Sequence, residues 1–129
     1  MTDPRYHYRC RLIHALDGDT VLLAVELGFH LTYEVTIRLA GINAPERRSG
    51  SQAEREAGEK AANFVENWCW GRVLILKTTK DQGDKFGRIL ATLIDQDTGK
   101  TLQEALIAKG LAVAYDGKTA RKPWTGETQ

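Results

Sequence analysis

An α+β fold, mainly β, is predicted for this 129-residue chain: a small five-stranded barrel with helices packed against its outside. Three observations predict it. Short segments of alternating apolar and polar residues fill the first third of the sequence, as half-buried strands do. One amphipathic helical stretch separates the third of these segments from two more strands. No repeat, low-complexity stretch or Pro/Ser-rich linker divides the chain, so one core and one domain are expected.

The elements follow in order. From Tyr6 to Ile13 the residues alternate, with Tyr6, Tyr8, Cys10 and Leu12 on one face and His7, Arg9 and Arg11 on the other. Asp17-Gly18-Asp19 has turn chemistry and precedes a second apolar run, Val21 to Leu27. After Gly28, Tyr33, Val35, Ile37 and Leu39 alternate with Thr32, Glu34, Thr36 and Arg38, which puts Arg38 in the polar phase of a third strand. The period then changes. Ala57, Ala61, Phe64, Val65 and Trp68 recur at three- and four-residue steps, predicting an amphipathic helix that ends near Gly71. Val73 to Lys77 and Ile89 to Ile94 read as two further strands across a charged, Gly-containing loop. Thr101 and Glu104 form a capping-box pattern, and Leu102, Leu106, Lys109 and Gly110 complete a short helix. Leu111 to Tyr115 suits a last strand, and the polar tail from Asp116 to Gln129 is assigned no structure. Short strands first, with a helix between the third and fourth, fit the five-stranded barrel that handles oligonucleotides.

Composition narrows the function classes. With 42% hydrophobic and 27% charged residues, the chain is that of an ordinary globular protein. Eighteen basic against seventeen acidic residues leave a net charge of +1, which excludes a histone-like or polybasic membrane binder and makes any anion site local. No apolar run approaches the roughly 20 residues needed to cross a bilayer, and no membrane partner is expected. Met1 to Arg11 is polar and charged, without the look of a signal peptide, so the cytosol is the default compartment. Cys10 and Cys69 are too few for a disulfide scaffold or a structural zinc site; packing residues and a single bridge both remain open.

Three polar clusters could carry chemistry. Asp17-Gly18-Asp19-Thr20 is foremost a common turn, though paired carboxylates in a turn suit a hard cation. Arg38 to Glu46 reads as a strand end punctuated by Gly41 and Pro45, yet Arg38, Asn43 and Glu46 offer a phosphate clamp, an oxygen ligand and a general base. Arg47 and Arg48 beyond it read as a solvated loop. Asp84-Lys85-Phe86-Gly87-Arg88 is a charged hairpin, in which Arg88 has a guanidinium fork matched to phosphate oxygens. Other templates fail. The segment from Asp95 would need Asp or Asn at the fifth place and Glu at the twelfth of a calcium loop, and these are Gly99 and Leu106. There is no P-loop, and His7, His14 and His30 lack zinc-ligand spacing.

Taken together in order and spacing, the three clusters and Leu102–Ala112 (LQEALIAKGLA) resemble the staphylococcal-nuclease, or thermonuclease-like, family, from about Arg9 to Tyr115. The resemblance implies an OB-type barrel with flanking helices, one nuclease domain over 1–129 with a polar tail from about 116, and Ca2+-dependent hydrolysis of DNA or RNA phosphodiesters by a monomer. Carried over residue by residue, Asp19 is implied as a calcium ligand, Asn43 as a second and Ala44 as a third through its carbonyl. Arg38 and Arg88 would grip the scissile phosphate, and Glu46 would activate water. Lys85, Phe86 and Tyr115 would meet the nucleotide. Exported relatives are common in this family, so a mature fragment of an exported chain is the alternative to a cytosolic protein.

Two departures stand out. Asn43 is an amide where the family pattern has Asp, which removes one negative charge from the metal site and predicts weaker calcium binding. The chain also stops soon after Trp124, so the family's long final helix has no obvious counterpart, and Asp116 to Trp124, with Lys118, Arg121 and Lys122, is left to cover the barrel or touch nucleic acid. Two readings therefore compete: an active calcium-dependent nuclease, and a nuclease-fold module that binds nucleic acid or protein without cleaving. Asn43 favours the module; Arg38, Glu46 and Arg88 together favour the enzyme.

Overall fold

Strand β1 (His7–Asp17) begins one residue after the alternation does and runs well past Ile13. Tyr6 sits outside it with a left-handed φ of 66°. The overrun has a cause in the ladder with β2 (Thr20–Gly28): the register slips between Leu12 and His14. A bulge inserts one residue and inverts the inward phase. Cys10 faces the core before it and Ala15 after it, while Ile13 is left 40% exposed. The computed structural model describes residues 5–83 and 88–116, with the backbone alone over 79–83.

Strand β2 turns into β3 (Leu31–Leu39) through Gly28, Phe29 and His30, all left-handed. The apolar face expected on β3 is buried at Ile37 and Leu39, half-buried at Val35 and exposed at Tyr33. Among the described residues, Ile37–Leu39 alone have a ladder partner on the far side, the parallel strand β6 (Ile89–Asp95). Gly41, at φ 80°, then turns the chain into β4 (Ile42–Asn43), which pairs with β7 (Val113–Ala114). The sequence does not announce β4, since two residues leave no periodicity, and the last strand is shorter than the expected Leu111–Tyr115.

Helix α1 (Gln52–Cys69) starts five residues before the first periodic residue, Ala57. Its N-cap is Ser51, whose hydroxyl accepts from the Glu54 N–H at 3.1 Å. Ser51 and Glu54 have the spacing of a capping box, a signal that was available in the sequence. Strand β5 (Leu74–Gly83) outlasts the expected Lys77, because its antiparallel ladder with β6 continues to Gly83 opposite Ile89. Helix α2 (Leu102–Ala108) is capped by Thr101 as expected, the hydroxyl accepting from Glu104 N–H at 3.1 Å.

The strands close into one barrel in the order β1-β2-β3-β6-β5, with β5 returning to β1. This is the mainly β, α+β architecture with outer helices that the sequence predicts. Its core is Val21, Leu23, Ile37, Leu39, Leu76 and Leu93 from the strands, Val65 from α1 and Leu102 and Leu106 from α2. Each such side chain contributes about 1.5–3 kcal/mol by leaving water. Gln103 joins them as a satisfied polar group: its amide donates to the Ala40 and Ala91 carbonyls at 3.2 Å each, tying α2 across β3 and β6. Cys10 and Cys69 are buried free thiols, each pushed up to about 12 mainly by burial, so they pack and neither bridge nor ionise. Among the described residues no helix is long and apolar enough to cross a membrane.

Candidate functional site

The β1–β2 turn is closed by the pair Asp17 and Thr20, which leaves Gly18 and Asp19 at its tip. Gly18 is required there by packing: a Cβ would lie 2.7 Å from the Ala61 Cβ and 3.0 Å from that of Ala44. The turn is thereby pressed onto α1 and against the segment that follows β4. Asp19 is 7% exposed, and its two carboxylate oxygens accept from the Thr20 hydroxyl at 3.1 Å and the Ala44 N–H at 2.9 Å.

Arg38 comes to the same place from β3, opposite Thr20 in the ladder. Its polar phase does not leave it in water, because its side chain is only 11% exposed. Nη1 donates to the Leu39 carbonyl at 3.0 Å and the Asp19 carbonyl at 3.4 Å, and lies 3.5 Å from the Asp19 carboxylate. Nη2 donates to the Ile42 carbonyl at 2.9 Å and to Asn43 Oδ1 at 3.1 Å. This guanidinium is therefore a structural tie joining the turn, the β3 end and β4.

The residues after β4 complete the acidic side. Glu46 is half-buried, and its carboxylate accepts from the Ser49 hydroxyl. Asp17 accepts from the Arg47 N–H at 3.0 Å. Burial pushes the Asp17 carboxyl above its ordinary value; the Arg47 N–H offsets part of this, and the nearby negative charges of Asp19 and Glu46 push it further up. Three carboxylates thus sense one another around the turn. The expectation that Arg47 is solvated fails. It is half-buried, with its guanidinium donating to the Ala15 carbonyl at 3.2 Å and paired with Glu59 at 3.0 Å. Its sequence signal was ambiguous, because an arginine after Pro45-Glu46 looks the same whether water or a helix faces it.

Of the sequence-predicted residues, Asp19, Arg38, Asn43 and Ala44 form one hydrogen-bonded group, with Glu46 adjoining it. Tyr115 reaches the same end, its N–H donating to the Gly41 carbonyl at 2.9 Å just beyond the β4–β7 pair. Arg88 is half-buried and directly precedes Ile89, the partner of Ile37 on the strand that carries Arg38. Lys85, Phe86, Lys118, Arg121, Lys122 and Trp124 lie outside the described residues.

The donor set accommodates a hard cation on chemical grounds. Asp19, Asn43 and the Ala44 carbonyl offer only oxygen, which suits calcium and not zinc. Among the described residues no three carboxylate, imidazole or thiol groups close on one point. A cation here would therefore depend on the amide and carbonyl oxygens beside the single carboxylate of Asp19.

No curated protein matches the chain. A family model described as staphylococcal nuclease homologue matches residues 36–127. The match takes in Arg38, Asn43, Ala44, Glu46, Arg88 and Tyr115, and Asp19 is joined to them through Arg38 and Ala44. With this match over most of its length, and with the closed five-stranded barrel that the resemblance implies, the chain belongs to the staphylococcal nuclease homologue family.

Proposed function

We propose that the protein is a calcium-dependent nuclease that hydrolyses phosphodiester bonds of DNA or RNA. The observation that carries this reading is the convergence of Asp19, Arg38, Asn43 and Ala44 in one buried hydrogen-bonded group with the Glu46 carboxylate beside it. Asp19, Asn43 and the Ala44 carbonyl would hold Ca2+, which when bound stabilises negative charge on the phosphoryl oxygens. Glu46 accepts the proton of the attacking water, so that hydroxide adds to phosphorus as the bond to the leaving oxygen breaks. The Ser49 hydroxyl holds the Glu46 carboxylate in orientation. Arg88 grips the phosphate with its planar fork, and Arg38, tied into the protein, contributes chiefly its charge. Lys85, Phe86 and Tyr115 are the residues expected to meet the nucleotide.

The binding-module reading is favoured by one observation: the Asn43 amide oxygen already accepts from Arg38, so the second metal ligand is neutral and shared. Incubation with single-stranded DNA and RNA, in calcium and in chelator, separates the two. Cleavage in calcium that stops in chelator is expected; undiminished digestion in excess chelator removes the metal mechanism, and binding without any cleavage favours the module. Glu46→Gln should slow hydrolysis by roughly 10²–10⁴-fold while leaving nucleic-acid binding intact. Arg88→Lys keeps the charge but loses the fork, and should cut the rate about a hundredfold, on the order of 3 kcal/mol.

A further inference from the structure

Gly58 lies in the middle of helix α1, where glycine costs about 1 kcal/mol against alanine and no turn or positive φ calls for it. Its reason is a close approach. A Cβ at Gly58 would stand 2.6 Å from both the carbonyl carbon and oxygen of Glu46 and 2.7 Å from the nitrogen of Arg47. All three are backbone atoms, so no side-chain rotation relieves the clash. The Glu46–Arg47 peptide lies directly on the helix at the one position where the helix has no side chain.

The same peptide is fixed from its other sides. The Arg47 N–H donates to the Asp17 carboxylate, and the Arg47 guanidinium binds the Ala15 carbonyl on β1 and Glu59, the helix residue next to Gly58. One helical turn on, Ala61 meets Gly18 of the Asp17–Thr20 turn in the same manner. The two acidic loops therefore share a floor on α1, and the height of Glu46 above it is set where Gly58 admits the backbone.

We propose that Gly58 is a positioning residue for the Glu46 carboxylate in the nuclease reaction, acting through the Glu46–Arg47 peptide that it lets down onto α1. The inference rests on the nuclease reading above. A carboxylate that must meet one water and one phosphorus is sensitive to displacement, and a shift near 1 Å costs about a hundredfold in rate. Gly58→Ala must displace this peptide, since the three nearest atoms the new Cβ meets are all backbone.

The test compares wild-type protein with Gly58→Ala on single-stranded DNA in calcium, together with hydrogen exchange of the Arg47 amide. The expected result is a kcat lower by ten- to a hundredfold, an unchanged KM, and faster exchange at Arg47 as its bond to Asp17 is pulled out of line. A variant that is merely less stable would instead keep its kcat per folded molecule. Arg47→Ala cuts the ties of the same loop to Ala15 and Glu59 while leaving Gly58 in place; should Gly58→Ala not fold, a fall in kcat at constant KM in Arg47→Ala supports the proposal, and an unchanged kcat overturns it. Wild-type cleavage with an unaltered kcat and Arg47 exchange in folded Gly58→Ala overturns the proposal alone. Wild-type protein that cleaves neither DNA nor RNA overturns the nuclease reading itself, whatever the exchange data say of the packing.

Discussion

Asn43 is the residue at which composition and geometry meet most directly. Its Oδ1 accepts from Arg38 Nη2 at 3.1 Å, so a carboxylate at this position would pair with a guanidinium as well as face the proposed cation. A unit charge near 4 Å is worth about 4 kcal/mol at an effective dielectric of 20, before desolvation. Arg38 neutralises part of that gain. Asn43→Asp should therefore tighten calcium by roughly tenfold, about 1.4 kcal/mol, as read by calorimetric titration. Activity should appear at lower calcium, with little change in the rate at saturation. Unchanged affinity would mean that Asn43 does not face the metal. Arg38 teaches the complementary lesson: its place in the polar phase of a strand was legible, but its occupation by four protein acceptors was not, because the turn at Gly41 folds Ile42 and Asn43 back onto it and the ladder with β2 brings up Asp19.

Among the elements, the junction of α1 with β6 carries the clearest pH dependence. Arg72, just after α1, stacks 4.6 Å from the Trp68 ring centroid and donates to the Asp95 carboxylate at the end of β6. Burial alone would raise the Asp95 carboxyl, but hydrogen bonds from the Asp97 N–H, Arg72 and the Thr98 hydroxyl outweigh it and hold it below its ordinary value. A carboxylate depressed on folding stabilises the protein above its unfolded value, about 3.9, and loses that contribution as pH falls through its folded value. Asp95→Asn should thus be less stable than wild type at neutral pH. The difference between their urea midpoints should shrink as pH is lowered from about 4. A constant difference down to pH 2 would assign the loss to packing. The DQDTG segment that resembles the start of a calcium loop is accounted for by this network, since Asp97 and Thr98 turn back onto Asp95.

Across the whole molecule the net charge of +1 leaves no general attraction for a polyanion, so nucleic-acid binding must draw on a few local cations. Two or three phosphate contacts predict a slope of about −1.5 to −2 for log affinity against log salt on a single strand. Fluorescence anisotropy with Glu46→Gln, which should bind without cutting, measures it. A slope steeper than about −4 would mean a basic surface much wider than the site around Arg38 and Arg88.

The sequence by itself determined the class of the fold, the order of its long elements and the identity of most candidate site residues. Period-two alternation over the first half of β1 and over β3, the apolar run of β2, period 3.6 over α1 and the Thr101 cap are local consequences of backbone geometry, and they are readable wherever an element is long enough to repeat. Tertiary structure alone decided the inverted phase after the β1 bulge, the two-residue strands β4 and β7, and the burial of Arg47. It also decided why Gly18 and Gly58 are glycines, since each answers to atoms that are distant in the chain: Ala61 and Ala44 for one, the Glu46–Arg47 peptide for the other. A missing side chain has no periodicity and no charge, so its meaning exists only when another backbone is brought down against it.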